Sequence, residues 1–301
     1  MYDLIIIGAG PAGITAAVYA ARKAMNMLVL TLDIGGQAST SGDIQNYTGY
    51  QFISGPELAL KFEEHMRAYK IPVHEREYVI SVEAVDNMIR VSTVKGVYKA
   101  RCLIIASGKK SRSLNVPGEE QFKNKGLTYC ATCDGPIFKG KPVAVIGAGN
   151  SALDAALQLV RIASKVYIVN SGEKITGDAI MLEALQKEKN AEVLNNSKVI
   201  EIMGDKFVNS VRINNSGIVR DIPAEGVFVE IGLLPNSDFI NCVDKNSLGE
   251  IKVDRFNKTS VPGIFAAGDV TDVAEKQIII AAGEGAKAVL SAFRYLTGAG
   301  S

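Results

Sequence analysis

Cys130 and Cys133, near the middle of the chain, are separated by two residues. Two thiols at this spacing can close a small disulfide ring that reduction opens again, so the pair is suited to electron transfer by thiol–disulfide exchange. Glycine-rich loops typical of nucleotide binding stand on either side, at Gly8 to Gly13 and Gly147 to Ala152. A redox pair between two such loops predicts an oxidoreductase that passes electrons between a bound flavin and a disulfide.

A Cys-x-x-Cys pair can instead begin a zinc site, which requires four ligands. The remaining cysteines and histidines form no second pair with ligand spacing; they are Cys102, Cys242, His65 and His74. We therefore predict no metal site. Cys102 lies in an apolar run and is predicted to be a core residue, and both histidines are predicted to be solvated.

The first loop follows the apolar run Ile5 to Ile7 and precedes an Ala-rich segment, which predicts strand, tight turn and helix. Gly8 permits the turn, Gly10 lets the backbone approach a pyrophosphate, and Gly13 lets the helix pack closely. The predicted nucleotide-binding residues of this loop are Gly8, Gly10, Pro11, Ala12 and Gly13. The acidic ribose partner expected after the second strand is replaced by Thr31, with Asp33 two residues later. Asp33 is a candidate for the ribose, but it can instead cap a loop.

The run Val143 to Ile146 leads into the second loop, and the pattern of the first unit repeats there. Alternating, β-branched stretches at Arg76 to Val97, Lys206 to Val219 and Asn257 to Phe265 predict antiparallel strands. The predicted fold class is α/β, with two Rossmann-like three-layer domains and appended antiparallel β-meanders.

Composition supports a folded, soluble protein. Hydrophobic residues make up 47% of the chain against 22% charged, and the net charge of +1 gives no reason to expect nucleic acid as a partner. The chain contains no basic leader before its first apolar run and no apolar run long enough to span a membrane. We predict a cytoplasmic protein with no membrane association.

Pro- and Gly-containing connections at Ser113 to Glu119 and Leu233 to Asn236 mark the domain boundaries. The prediction is a domain formed by residues 1–114 and 236–301, with a second domain, residues 115–235, inserted into it and carrying the two cysteines. The tail Thr297 to Ser301 is predicted to be flexible.

An ordered set of motifs resembles the low-molecular-weight thioredoxin reductase family over essentially the full length. These motifs are Gly8 to Gly13, Gly35-Gly36-Gln37, Asn46-Tyr47, Ala106-Ser107-Gly108, Cys130 to Gly135 and Gly263 to Asp269. The resemblance implies an FAD domain built from both ends of the chain, an inserted pyridine-nucleotide-type domain, a homodimer and a domain rotation during turnover.

The resemblance also implies particular FAD-binding residues. Asp269 matches the carboxylate that accepts a hydrogen bond from the flavin ribityl chain, and the segment Lys276 to Ile278 matches the one that brings backbone amides to the flavin ring. Together with Thr31 and Asp33, which are predicted from their place after the second strand, the set beyond the first loop is Gly35, Gly36, Gln37, Asn46, Ala106, Gly108, Asp269, Lys276, Gln277 and Ile278.

Roles for the catalytic residues follow from the same resemblance. Cys133 is expected to exchange electrons with the flavin, Cys130 to attack the disulfide of thioredoxin, and Asp134 to protonate a departing thiolate. As an acid at the start of a helix, Asp134 can also simply stabilise the helix dipole.

The chain departs from the family after the second strand of the inserted domain. Members that use NADPH carry His-Arg-Arg and a further Arg there, whereas this chain has Asn170 to Thr176 with a single Lys174 beside Glu173. Arginine normally holds the 2′-phosphate, so the sequence argues against efficient use of NADPH. We predict ferredoxin or another donor, as in the pyridine-nucleotide-independent members. NADH is the runner-up, with Asn170 as a hydrogen-bonding partner for its ribose.

Two alternatives of other classes remain open. An oxygen-using dithiol oxidase would share the fold and the cysteine pair. A flavoprotein acting as a sensor or binding module would hold FAD without turnover. The retained Asp134 and complete cysteine motif favour the reductase over both.

Overall fold

The computed structural model describes residues 1–41, 43–85 and 88–298, in which the chain forms two compact units. One unit is Met1–Lys110 together with Leu234–Ser301, and the other is Ser111–Leu233. The sequence placed the boundaries after residues 114 and 235, and the structure places them after residues 110 and 233. Residues 86–87 of the first predicted meander and residues 299–301 of the predicted tail lie outside the described residues.

The first unit begins with a repeating pattern of strands and helices. Its elements before the insertion are β1 (Tyr2–Ala9), α1 (Pro11–Arg22), β2 (Met27–Ile34), β3 (Asp43–Ile44), β4 (Ile53–Ser54), α2 (Gly55–Ala68), β5 (Val73–His74), β6 (Val79–Val85), β7 (Met88–Thr93), β8 (Val97–Ile105) and β9 (Lys109–Ser111).

The inserted unit and the return to the first unit follow. Their elements are α3 (Glu119–Phe122), β10 (Leu127–Thr128), α4 (Ala131–Asp134), β11 (Pro142–Ile146), α5 (Asn150–Leu159), β12 (Lys165–Val169), α6 (Ala179–Gln186), β13 (Ala191–Leu194), β14 (Ser197–Gly204), β15 (Val208–Asn215), β16 (Ile218–Pro223), β17 (Gly226–Val229), β18 (Leu233–Pro235), β19 (Ile264–Ala266) and α7 (Ile278–Thr297).

The main sheet of the first unit has the order β5-β2-β1-β8-β7-β6, and β19 also pairs with β8. The pairs among β5, β2, β1, β8 and β19 are parallel, whereas β6, β7 and β8 form an antiparallel meander. Both faces of β1 are covered: Leu4 and Ile6 pack in one core, and Ile5 and Ile7 in another. Burial on both faces explains the unbroken apolar run of this strand.

The inserted unit repeats the arrangement with a parallel sheet of order β10-β17-β11-β12-β13. Ala144 and Ile146 of β11 face one core, and Val143 and Val145 face the other. Strands β14, β15 and β16 form a separate antiparallel sheet. The predicted α/β fold class with two doubly wound domains and β-meanders is confirmed.

One predicted meander is wrong. The stretch Asn257 to Phe265 contributes only an isolated bridge between Lys258 and Phe265, and Phe265 belongs to β19, which pairs in parallel with β8. Ile264 and Phe265 are both buried, so this apolar stretch belongs to a strand that is covered on both faces. Such a run does not distinguish a parallel strand from an antiparallel one. None of the helices within the described residues is long and apolar enough to cross a membrane.

Helix α1 lies unusually close to the loop that precedes it. A Cβ on Gly13 would stand 1.9 Å from the carbonyl oxygen of Gly8, so only glycine allows this approach. Helix α7 packs on the same helix, and Gly283 within it has open space where a Cβ would stand.

We therefore expect Gly13→Ala to destabilise the protein by about 1 to 3 kcal/mol, because backbone must move to admit the methyl group. Gly283→Ala is the matched control, a helical glycine in the same unit, and should be neutral or stabilise by up to about 1 kcal/mol. Thermal unfolding of both variants measures the difference. Equal melting temperatures for the two would contradict the packing argument.

Candidate active site

A cavity of about 340 Å³ opens in the first unit at the carboxyl ends of its parallel strands. Its walls come from both ends of the chain. Thirteen of the predicted cofactor-binding residues line it: Gly8, Gly10, Pro11, Ala12, Thr31, Asp33, Gly36, Gln37, Ala106, Gly108, Asp269, Gln277 and Ile278. Four predicted residues are not part of its lining: Gly13, Gly35, Asn46 and Lys276. The topology thus gathers motifs that lie far apart in the sequence into one site.

The first glycine-rich loop is shaped by close backbone contacts. Gly8 has a φ of 102°, and a Cβ there would lie 2.3 Å from the carbonyl oxygen of Ala106. Helix α1 then begins at Pro11 with Gly10 as its N-cap and without a side-chain cap. Its first backbone N–H groups therefore face the position where a pyrophosphate group binds in dinucleotide folds.

The polar residues at the end of β2 are used differently from each other. The hydroxyl of Thr31 is buried, accepts a hydrogen bond from the backbone N–H of Ala9 at 3.2 Å and donates one to the carbonyl oxygen of Asp33. Thr31 thus ties β2 to the glycine-rich loop. The side chain of Asp33 is exposed beside the cavity, where a ribose hydroxyl can reach it.

A buried ion cluster stands beside Asp269. Glu250 accepts a hydrogen bond from Lys109 at 3.0 Å and lies 3.3 Å from the ammonium group of Lys276. Burial opposes ionisation of Glu250, but hydrogen bonds from Asn246 and Lys109 and the charge of Lys276 lower its pKa to about 2. Burial raises the pKa of Asp269, against the charges of Lys276 and Lys109.

Lys276, which is not part of the cavity lining, contacts Glu250 and donates to the carbonyl oxygen of Thr271. Asn46, also outside the wall, donates from Nδ2 to Oε1 of Gln277 at 3.1 Å and so orients a side chain that does line the cavity. Both predicted residues support the site rather than forming its surface.

Sequence reasoning missed Lys109 and two buried carboxylates, Glu77 and Glu284. Glu284 on α7 accepts a hydrogen bond from the backbone N–H of Gly268 at 3.1 Å and so fixes the turn that carries Asp269. Glu77 lines the cavity and accepts hydrogen bonds from the hydroxyls of Thr93 and Tyr98. The available signal for Glu284 was an acid beside Gly285, where a Cβ would lie 2.0 Å from the carbonyl oxygen of Ala12 on α1.

Cys130 and Cys133 form a disulfide on a short helix of the inserted unit, with a Cα–Cα distance of 5.4 Å. Cys130 is the N-cap of α4, and its sulfur accepts a hydrogen bond from the backbone N–H of Cys133 at 3.1 Å. The same N–H would stabilise a thiolate at Cys130 after reduction. Cys130 is half-buried and Cys133 is exposed.

Asp134 is held by the strand that leads into the motif. The hydroxyl of Thr128 donates to Oδ2 of Asp134 and accepts from the backbone N–H of Cys130 at 3.2 Å. A single hydroxyl therefore links the predicted proton donor to the backbone of the first cysteine. This arrangement keeps a carboxyl group beside the redox pair, as general acid–base chemistry requires.

The other cysteines and the histidines lie elsewhere. Cys102 is buried in the core as predicted, and burial raises the pKa of its thiol to about 12; Cys242 is exposed. His65 is exposed as predicted. His74 is less exposed than predicted, because its ring packs half-buried against Tyr98, with 3.1 Å between Nδ1 and the phenol oxygen.

The second glycine-rich loop keeps the form of the first. A Cβ on Gly147 would lie 2.1 Å from the carbonyl oxygen of Glu230, and α5 begins after Gly149 without a side-chain cap. The sheet order places β12 on one side of β11 and β17 on the other, which makes the end of β11 the switch point where dinucleotides bind.

Asn170, the predicted ribose partner, is only 3% exposed. Its Nδ2 donates to Asn195 at 2.8 Å and its Oδ1 accepts from the backbone N–H of Gly172 at 2.9 Å. The side chain therefore closes the turn after β12 and is not offered to a ligand. Glu173 and Lys174 are the exposed charged groups of that turn.

Glu230 follows β17 directly and lies beside this loop. Burial, reinforced by the negative charge of Asp154 on α5, raises the pKa of Glu230 from its ordinary value of 4.5 to about 8. At neutral pH the carboxyl group of Glu230 is therefore largely protonated.

Two nucleotide-type loops, together with a disulfide between cysteines that two residues separate, define a flavin-type disulfide oxidoreductase. Residues 2–285 match the Pyridine nucleotide-disulphide oxidoreductase family, and the chain belongs to that family. FAD is the cofactor that this family implies. Three features of the cavity fit it: the N-terminus of α1 without a side-chain cap, the close backbone contacts at Gly8, and Asp269 in the lining.

Individual relatives carry several names. The chain is 41% identical over 299 residues to an NADH dehydrogenase of Bacillus subtilis strain 168 and 42% identical over 303 residues to the F component of alkyl hydroperoxide reductase of Escherichia coli K12. Each match covers 98% of this chain but 58% of the relative, so the chain spans little more than half of their length.

Solved structures match over the whole length. Thioredoxin reductase of Lactococcus lactis is 35% identical, with a TM-score of 0.94 over 99% of this chain and 100% of that one. A ferredoxin-flavin thioredoxin reductase of Clostridium acetobutylicum is 32% identical, with a TM-score of 0.55 over 99% and 98% of the two chains.

The raised pKa of Glu230 leads to a prediction about stability and pH. Between pH 4.5 and 8 the unfolded chain binds fewer protons at Glu230 than the folded chain does. The contribution of Glu230 to the free energy of unfolding is therefore fully present below pH 4.5 and is lost as the pH rises toward 8. The slope is at most about 1.4 kcal/mol per pH unit.

In Glu230→Gln this loss should disappear. We expect the melting temperature of the variant relative to the parent to rise from pH 5 to pH 8, measured by thermal unfolding in matched buffers. Glu225→Gln, an exposed carboxylate four residues before β17 ends, is the control and should follow the parent. A difference that stays constant with pH for Glu230→Gln would contradict the assignment.

Proposed function

We propose that this protein is an FAD-dependent disulfide reductase in which the Cys130–Cys133 pair passes two electrons to the disulfide of thioredoxin. The observation that carries the proposal is the disulfide capping α4, with Asp134 held beside it by Thr128. The likeness to solved thioredoxin reductases over the full chain supports the choice of substrate.

FAD bound in the cavity of the first unit would supply the electron pair that reduces the disulfide. The chain's own residues would hold the cofactor: the N-terminal turn of α1 would hold its pyrophosphate, Asp33 its adenosine ribose and Asp269 its ribityl chain. Glu284 keeps Asp269 in place through the backbone N–H of Gly268.

Reduction of the partner proceeds by two exchanges at the cysteine pair. The Cys130 thiolate attacks one sulfur of the thioredoxin disulfide, which forms a mixed disulfide and releases the other sulfur as a thiolate. Asp134 can donate a proton to that leaving group. Cys133 then attacks the Cys130 sulfur, which restores the Cys130–Cys133 disulfide and frees thioredoxin as a dithiol.

NADH is the donor that the inserted unit favours. The loop at Gly147 and the uncapped start of α5 offer a pyrophosphate site, whereas Glu173 beside Lys174 would repel a 2′-phosphate and suits a ribose with free hydroxyls. The Bacillus subtilis relative, named NADH dehydrogenase, supports the same choice. The sequence alone favoured ferredoxin, but we rank NADH first because the nucleotide loop keeps its full form.

Ferredoxin is the second candidate, on two observations. The Clostridium acetobutylicum neighbour is a ferredoxin-flavin thioredoxin reductase, and in this chain the side chain of Asn170 is hydrogen-bonded to Asn195 and Gly172. A ferredoxin near about −400 mV would reduce a thioredoxin near about −270 mV with a drop of ~130 mV.

Anaerobic titration of the flavin absorbance distinguishes the donors. NADH, NADPH and chemically reduced ferredoxin are added to separate samples of the FAD-loaded protein. We expect stoichiometric bleaching by NADH and at least a roughly tenfold slower reaction with NADPH, because the turn from Asn170 to Thr176 contains no arginine to pair with the 2′-phosphate. Bleaching by ferredoxin alone would refute NADH as donor. Equally rapid bleaching by NADPH would refute the role given to Glu173.

Cys130→Ser tests the disulfide route itself. We expect reduction of thioredoxin to fall by at least about 1000-fold, since the nucleophile is lost, while bleaching of the flavin by the donor persists. Cys242→Ser is the control, an exposed cysteine of the other unit, and should keep full activity. Thioredoxin reduction that survives Cys130→Ser would overturn the proposal, and vigorous peroxide formation with small dithiols would point to an oxidase.

A further inference from the structure

Thr132, between the two cysteines, is connected to the nucleotide-type helix of the same unit. Its hydroxyl donates to Oε1 of Gln158 on α5 at 2.9 Å, and Nε2 of Gln158 donates to Oδ2 of Asp154 at 3.1 Å. All three side chains are half-buried. The chain of hydrogen bonds therefore runs from the redox motif to the middle of α5.

The direction of this chain is fixed by chemistry. An ionised carboxylate only accepts hydrogen bonds, so the amide nitrogen of Gln158 must face Asp154 and its oxygen must face Thr132. Both polar groups of Gln158 are thus committed, and its side chain cannot rotate without losing two hydrogen bonds. Asp154 in turn is the charge beside Glu230 at the end of β17.

The importance of this chain lies in the reduced state. While the disulfide is closed, the covalent bond holds the two sulfurs together. After reduction only other contacts keep the turn folded. Thr128 holds the turn on one side through the backbone N–H of Cys130, and Gln158 holds it on the other side through Thr132.

We propose that Gln158 is a positioning residue that, through Thr132, keeps the two thiols of the reduced pair close enough to reclose readily. The ease of reclosing sets how strongly a dithiol donates electrons, because a pair held together loses less freedom when the disulfide forms. Gln158 therefore makes the pair a stronger reductant. This inference rests on the proposed exchange chemistry of the pair but not on the identity of donor or substrate.

The test is the equilibrium of the pair with dithiothreitol buffers in the FAD-loaded protein. Free thiols are alkylated, and the mass of the peptide that carries both cysteines is measured by mass spectrometry. In Gln158→Leu both hydrogen bonds are lost, and we expect the equilibrium constant for closing the disulfide to fall about fivefold to tenfold, which corresponds to about 20 to 30 mV. Gln186→Leu, an exposed glutamine at the end of α6, is the control and should match the parent.

Exchanging the amide and the carboxylate between positions 158 and 154 distinguishes loss of this hydrogen bond from a general structural disturbance. Gln158→Glu places a second carboxylate against Asp154 and should shift the equilibrium in the same direction as Gln158→Leu. In the double variant Asp154→Asn with Gln158→Glu, the new amide donates to the new carboxylate, which still accepts from Thr132. Measured against Asp154→Asn alone, Gln158→Glu should then change the equilibrium by less than about twofold.

Two results would overturn the proposal: an unchanged equilibrium in Gln158→Leu, or a shift in Gln158→Glu that Asp154→Asn does not reverse. Because the readout needs neither thioredoxin nor NADH, such a failure is separate from failure of the proposed function. That function is tested by Cys130→Ser and the donor titration.

Discussion

The structure depends on how closely backbone can approach backbone where a strand turns into a helix. At Gly13 and Gly8 the missing Cβ lets α1 start directly above the end of β1, so that its first N–H groups face the cavity. Gly147 does the same beside Glu230 in the inserted unit. Both sites use helix dipoles and amide groups, which a side chain at those positions would push away.

Two buried carboxylates hold the groups around Asp269 in place. Glu284 holds the turn before Asp269, and Glu250 gathers Lys109 and Lys276 behind it. A buried charge is stable only when it is paired or hydrogen-bonded, and each of these groups meets that requirement with groups of the flavin-type unit. The site therefore rests on a small set of polar contacts made by residues that do not touch a ligand.

The sequence predicted the parts that local pattern determines. Apolar runs followed by glycine turns gave both doubly wound domains, and the Cys-x-x-Cys spacing gave the disulfide, because these features depend on residues adjacent in the chain. Thr31 and Asn170 show the limit: both stand where a ribose partner is expected, yet each hydroxyl or amide is used by the protein's own backbone or by a neighbouring side chain. The direction of a side chain at a strand end is set by tertiary contacts, and the local order of residue types does not show those contacts. The strand at Ile264 and the partnership of Lys109 with Glu250 were missed for the same reason, since their partners lie more than a hundred residues away.

The division of the chain has a consequence for how the protein folds during synthesis. Strand β8 has β19 as a parallel neighbour, and α1 packs on α7, so the flavin-type unit cannot complete its sheet or its helical layer until β19 and α7 have left the ribosome. The inserted unit, Ser111–Leu233, is complete long before then. We therefore expect the redox-active unit to fold first, while the amino-terminal strands wait with an unpaired edge. Such an edge is a hazard for aggregation, and it makes the nascent flavin-type unit a natural client for chaperones.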